Sequence, residues 1–175
     1  MNYPALIIST LALLFSVLGF WWMNWRRGRL RVGGPRSYAA CAAGDRLILA
    51  LPFVFFNDGA SAIVVQNLRV LVLNDQNDPK PLFFSATVER LLKDDGRALA
   101  TQFPIRGREA LRLICEFQRI PANLVFEARR YPLELQAILN EDKEWKPLCA
   151  FDLNVREESL ASINRAYIAY DNYDS

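Results

Sequence analysis

The 175-residue chain has no histidine. That removes the commonest general base, the commonest metal ligand and the usual pH switch together. Cysteine is scarce: Cys41, Cys115 and Cys149 are odd in number, far apart and without a CxxC spacing. They read as small buried apolar residues in a reducing compartment, not as a disulfide framework, zinc site or redox pair. There is no phosphate loop, because Gly33-Gly34 lacks the GK[ST] ending, and there is no nucleophile elbow. Adjacent carboxylates occur at Asp94-Asp95 and Glu157-Glu158. Neighbours on a strand point to opposite faces, so these pairs make no acid/base dyad and read as a turn and a helix start. The expectation is a protein that is not an enzyme and uses no cofactor and no metal.

Acidic residues are also missing from the first 44 positions, and long apolar runs from everything but the beginning. Residues 4–25 read PALIISTLALLFSVLGFWWMNW, without a charge. As a helix rising about 1.5 Å per residue, the run reaches roughly 33 Å, enough to cross a hydrocarbon core of about 30 Å. Tyr3 marks one interface; Trp21, Trp22 and Trp25 mark the other, with their rings in apolar surroundings and their N–H groups in water. A cleaved secretory signal is the competing reading. Against it stand the length of the run, the lack of Lys or Arg before it, and the bulky WWMNWRR where small residues belong.

Behind the run come Arg26, Arg27, Arg29, Arg31 and Arg36. Basic flanks stay in the cytoplasm, so the expected topology is a single pass of the cell membrane, N-terminus outside and the rest of the chain cytoplasmic. The same arginines suit anionic lipid headgroups. Ala5/Ser9 and Ala12/Ser16 give small-xxx-small spacings, a weak signal for helix pairing. From position 37 onward there are sixteen basic and nineteen acidic residues, so a basic collar sits on a mildly acidic body. Scattered arginines without a concentrated basic face argue against nucleic acid.

The division expected is an anchor at 1–25, a basic juxtamembrane linker at 26–36, a β-sandwich domain at 37–163 and a fraying tail at 164–175. Gly33-Gly34-Pro35 reads as the break before the domain. Residues 37–43 suit a first edge strand, and 46–56 (RLILALPFVFF), apolar on both faces, a central one in which Pro52 asks for a bulge or an edge. Asn57-Asp58-Gly59 is a turn. The run 61–73 changes parity at Gln66-Asn67, which suggests a bulge. Further strands are expected at 82–92, 98–105 and 110–118, with a loop at 74–81 and turns at 94–96 and 106–108. Residues 131–139 and 145–155 form the clearest hairpin, with Leu133, Leu135, Trp145, Phe151 and Leu153 on one face. A short helix fits 157–163. Strand-length runs every 8–12 residues, with turns between, indicate an antiparallel sandwich.

Three stretches carry a family resemblance: LPFVFFNDGASAIVVQNLRVLVL, FPIRGREALRLICEF and LELQAILNEDKEWKPLCAFDLNV. With them the pattern from Leu49 to Val155 resembles immunoglobulin-like β-sandwich domains of unknown function on small bacterial single-span membrane proteins. The resemblance implies an immunoglobulin-like fold behind one transmembrane helix and transfers no catalytic residue. The antibody-type Cys–Trp–Cys arrangement is not present.

The expected function is therefore a membrane-tethered cytoplasmic domain that binds a protein partner at the inner face of the membrane. The membrane-interface residues are Trp21, Trp22, Trp25, Arg26, Arg27, Arg29 and Arg31. Candidate partner contacts are Arg129 and Arg130, and Tyr167, Tyr170 and Tyr173, which would line one side of a helix. Two other classes compete: an accessory subunit held in a membrane complex through its helix, and a histidine-free enzyme using carboxylate and arginine groups. A concave site with converging Asp, Glu and Arg would favour the enzyme; an exposed apolar patch or open strand edge would favour the binder.

Overall fold

A computed structural model describes residues 3–73, 80–91, 96–122, 124–163 and 168–172. The elements are α1 (Tyr3–Asn24), β1 (Leu30–Gly33), β2 (Ser37–Ala43), β3 (Arg46–Asn57), β4 (Ile63–Val72), β5 (Leu82–Val88), β6 (Ala98–Leu99), β7 (Phe103–Ile105), β8 (Ala110–Arg119), β9 (Arg130–Leu139), β10 (Lys146–Asn154), α2 (Glu157–Ile163) and β11 (Ile168–Asp171). The chain is mainly β, with one apolar N-terminal helix long enough to cross a membrane. No residue of α1 is buried against the rest of the chain.

The strands form one continuous, curled antiparallel sheet in the order β10-β9-β4-β5-β8-β3-β2-β11. β1 adds to β3, β6 to β5 and β7 to β4. The join between β4 and β5 is narrow, with only Arg69↔Phe83 and Val70↔Leu82 in register. The run expected as one strand at 98–105 is divided there: β6 lies along β5 and β7 along β4. The core fills the inside of the curl. Phe53 of β3 meets Phe117 of β8 and Phe151 of β10 edge to face, at 6.4 and 5.8 Å between ring centroids. Leu49, Leu51, Phe55, Leu68, Val70, Leu135 and Leu153 are buried around them. Such rings add about 0.5–1.5 kcal/mol per pair beyond the area they bury.

Several expectations are corrected. The stretch read as a basic linker contains β1, whose residues 30–33 pair with 57–54 of β3. β1 and β2 lie along the same edge of β3, separated by Gly34-Pro35-Arg36. Pro52 therefore marks no bulge, but it does sit at the local edge position expected of it. Asn57 N–H donates toward β8, to Glu109 O. By alternation position 52 faces the other edge, opposite the gap between β1 and β2, where no partner waits for an N–H. The tail is ordered at Ile168–Asp171, which pairs with Ser37–Ala40. The parity change at Gln66 is a bulge, as expected: the register of β4 on β9 shifts between Val65 and Asn67.

The β9–β10 hairpin has Phe151 opposite Leu133 and Leu153 opposite Tyr131, and α2 covers 157–163. Trp145, however, leaves the expected face. A bulge between Pro147 and Cys149 exchanges the two sides of the strand. The indole lies on the outer surface instead, with the Arg69 guanidinium 4.3 Å from its ring centre. Of the expected loop at 74–81, residues 74–79 lie outside the described residues, as do 94 and 95 of the expected turn at 94–96.

Asn172, just beyond β11, joins the two rims of the curl. Its amide nitrogen donates to Asp152 O (2.8 Å) and Pro35 O (3.2 Å), and its side-chain oxygen accepts from Asn154 N–H (2.8 Å).

Candidate membrane-proximal site

Where α1 ends, three segments distant in sequence are tied together: 26–29, 57–61 and 105–109. Asn57 is at their centre and is fully buried. Its N–H donates to Glu109 O (3.1 Å), and its side-chain amide donates to Ser61 O (2.8 Å) and Ile105 O (3.2 Å). Its side-chain oxygen accepts from Gly59 N–H (2.9 Å), the local Asx turn that an Asn-Asp-Gly sequence favours. Three glycines let the backbones meet. A Cβ on Gly59 or on Gly28 would overlap the other's main chain, and one on Gly107 would overlap the Ala60 carbonyl. Ala60 N–H donates in turn to Arg26 O (2.8 Å). The end of α1 is thus bonded to the sheet within two residues of its last turn.

The charges are arranged around this knot. Arg26 is half-buried, its guanidinium 4.5 Å from the Trp22 ring centre and donating to Asp58 O. Asp58 accepts from Arg29 N–H (2.7 Å) and from Arg31 Nε (3.2 Å). The Arg29 N–H, helped by the Arg31 and Arg26 charges, holds its carboxyl below the usual carboxylate range. From the opposite side, Arg108 donates to the Trp22 carbonyl (3.1 Å), one of the helix-end acceptors that lack an intrahelical partner. Arg108 has φ +60° in the Arg106–Glu109 turn, closed by Glu109 N–H to Arg106 O (3.3 Å). That position favours glycine, and a larger side chain costs about 1 kcal/mol there.

Trp21, Trp22 and Trp25 are exposed at the end of α1, as are Arg27, Arg29 and Arg31 beyond it; Arg26 is drawn inward. Arg129 and Arg130 lie at the start of β9, at the far ends of the strands. Arg129 stacks on Tyr131 (4.6 Å) and pairs with Glu127 (3.5 Å). Tyr170 sits on a strand, not a helix, packed on the buried Tyr38 at 5.7 Å between centroids. Tyr167 and Tyr173 lie outside the described residues. Asn57, Asp58, Gly28, Gly59, Arg106 and Arg108 were not foreseen as site residues. Only the turn signals at 57–59 and 106–108 hinted at any of them.

Elsewhere, a buried carboxylate, Glu116, is held on the outer face of β8 by Arg97 (2.6 Å), Gln118 (2.7 Å) and Ser85 (3.1 Å). A polar cavity of about 200 Å³ lies between Tyr38, Asn154, Arg156, Glu158, Ser159, Tyr170 and Asp171. Burial foremost, and the neighbouring Tyr170, push the Tyr38 hydroxyl up to about 12. Among the described residues no three His, Cys, Asp or Glu side chains are grouped so as to hold a metal ion. Compared with family models and with curated proteins, the chain matches none.

Proposed function

We propose that this is a single-span membrane protein, N-terminus outside, whose cytoplasmic β domain binds a protein partner beside the bilayer and carries out no chemistry of its own. The observation that carries this reading is the junction. The sheet is bonded directly to the end of an apolar, unburied helix, through Arg26, Asp58, Ala60 and Arg108. That arrangement suits a domain that must stay at a membrane surface. A tethered domain gains effective concentration toward partners on the same membrane even when each contact is weak. The arginines behind α1 support the orientation. The integration of residues 26–31 into the sheet supports a retained anchor over a cleaved signal.

The immunoglobulin-like relation belongs to the same proposal. Its support is the narrow β4–β5 join. That join divides the curled sheet into a β10-β9-β4-β7 half and a half of β6, β5, β8, β3, β2, β1 and β11, and Phe151 of the first meets Phe53 of the second across the core, the kind of contact that two sandwich layers make. For the partner surface, Val54 and Phe56 stand exposed (48 and 41 %) on the outer side of β3 beside the junction.

The polar cavity at Tyr38 favours the histidine-free enzyme as a second reading, since Arg156, Glu158 and Asp171 converge there. At about 200 Å³ it is smaller than the usual ligand site of roughly 300–1,000 Å³. A phenol held near 12 is also no base at neutral pH.

The test replaces residues 3–24 with an unrelated spanning helix of the same orientation and leaves the rest intact. The binding reading expects activity in cells to be kept with the foreign helix and lost when V54D/F56D is introduced. Loss with the foreign helix alone would assign the function to the anchor, as an accessory subunit. Retained activity in V54D/F56D with loss in R156Q would favour the cavity. A reporter active only in the cytoplasm, fused after Ser175, checks the orientation; silence there overturns it.

A further inference from the structure

We propose that the Arg106–Glu109 turn, together with the arginines behind α1, forms a binding site for the headgroups of anionic phospholipids. The inference rests on the anchored reading. If α1 spans a bilayer, Trp22 and Trp25 lie at its interface. Arg108 reaches the Trp22 carbonyl at 3.1 Å, so the turn that carries it stands at headgroup depth. Gly107 is wedged against Ala60, which is bonded to Arg26; the turn cannot swing away without breaking the junction.

The charge it brings is available. The Arg106 side chain is 81 % exposed and approaches the Glu109 carboxylate at 4.0 Å. On the other side of the knot Arg31 is 72 % exposed, and Arg27 and Arg29 are exposed as well. The nearby carboxylates do not cancel this set. Asp58 is occupied by Arg29 N–H and Arg31, and Glu109 leaves most of the Arg106 guanidinium open. Guanidinium groups bind phosphate through paired N–H donors. Arginines arriving from two sides of one helix end suit a phosphodiester in the headgroup layer. Arg108 holds the unfavourable backbone of its turn where a glycine would be easier, which places a cation between Trp22 and that layer.

The experiment reconstitutes the full chain in vesicles and measures quenching of its tryptophan emission by dibrominated phosphatidylglycerol and by dibrominated phosphatidylcholine. Trp21, Trp22 and Trp25 are three of the four tryptophans, so the signal reads the lipid around this end of α1. The wild type should prefer phosphatidylglycerol, and the preference should shrink as salt rises. R106Q, at an exposed position, should lower it about fivefold and R106Q/R108Q further, while R106K keeps most of it. Equal quenching by both lipids in the wild type, or an unchanged preference in R106Q/R108Q, overturns the proposal. Flotation with vesicles after alkaline carbonate separates the failures. A chain that floats without preference loses only the lipid site; a chain that does not float refutes the anchor and the site together.

Discussion

At the end of the strands next to α1, closure is made of backbone. Gly28 meets Gly59, Gly107 meets Ala60, and a buried Asn57 supplies the hydrogen bonds. Arg26 turns inward, and the charged side chains of Arg27, Arg29, Arg31 and Arg106 are exposed. At the far end, closure is made mainly of apolar side chains: Ala122, Phe126, Val155 and Ile163 are buried there around one buried cation, Arg119, which donates to the Ala122 carbonyl (2.9 Å), and Phe126 meets Tyr131 edge to face at 5.4 Å. Backbone contacts between glycines have almost no freedom to adjust, whereas an apolar plug can repack. The first end fixes where the sheet stands relative to the helix. The second fixes how stable the sheet is.

Substitutions at the two ends should break this contrast in different ways. The largest loss is expected from Gly59→Val, because the overlap is with main chain that cannot move aside: more than about 4 kcal/mol by denaturant unfolding in detergent. A loss under about 1 kcal/mol would mean that the glycines do not meet. Phe126→Ala at the other end should cost about 3 kcal/mol by the same assay and leave the helix–sheet geometry unchanged. Asn57→Ala should come next, at about 2 kcal/mol, since it leaves Gly59 N–H and two carbonyls without their partner.

Titration should sharpen the contrast with smaller effects. Burial pushes the Cys115 thiol from 9.0 to about 12, and Tyr38 rises from 10.0 to about 12. Acids with raised folded values stabilise fully below their unfolded values. Stability should therefore hold up to about pH 9 and fall between there and pH 12. A pH series of melting temperatures checks this; a flat alkaline limb would contradict the burial of both groups. In native thiol labelling Cys115 should be protected, and the denatured chain should count three thiols. Asp58 acts in the opposite sense. Its contribution is complete above the ordinary value of 3.8 and is lost as pH falls through its depressed folded value. Being on the surface, it should give the smallest effect, seen as a slight acid shift missing from Asp58→Asn.

How much of this could be read from the residues follows the same division. The β9–β10 hairpin was legible because Leu133, Leu135, Phe151 and Leu153 alternate, and α2 because two glutamates open a short run. Trp145 was assigned to the wrong face because a bulge changes parity without any composition signal. β11 was missed because its partner, Ser37–Ala40, is about 130 residues away and its own aromatic, polar sequence shows no clean alternation. β1 was hidden inside the arginines, whose charge spoke for the membrane and masked Leu30 and Val32. In the site, the tryptophans and arginines at the helix end were legible as a local run. Arg106, Arg108 and Asp58 were not, because only the curling of the sheet brings them to α1.

The central claim is that helix and sheet are one rigid body joined at this junction. Its most direct test is a distance distribution by pulsed electron paramagnetic resonance in lipid nanodiscs. Spin labels at Met23→Cys and Arg112→Cys, both exposed, would be placed in a chain with Cys41, Cys115 and Cys149 replaced by alanine. One narrow distribution is expected, broadening when Gly59→Val is added. A broad distribution in the chain without that substitution would contradict the claim and make residues 26–29 a flexible tether.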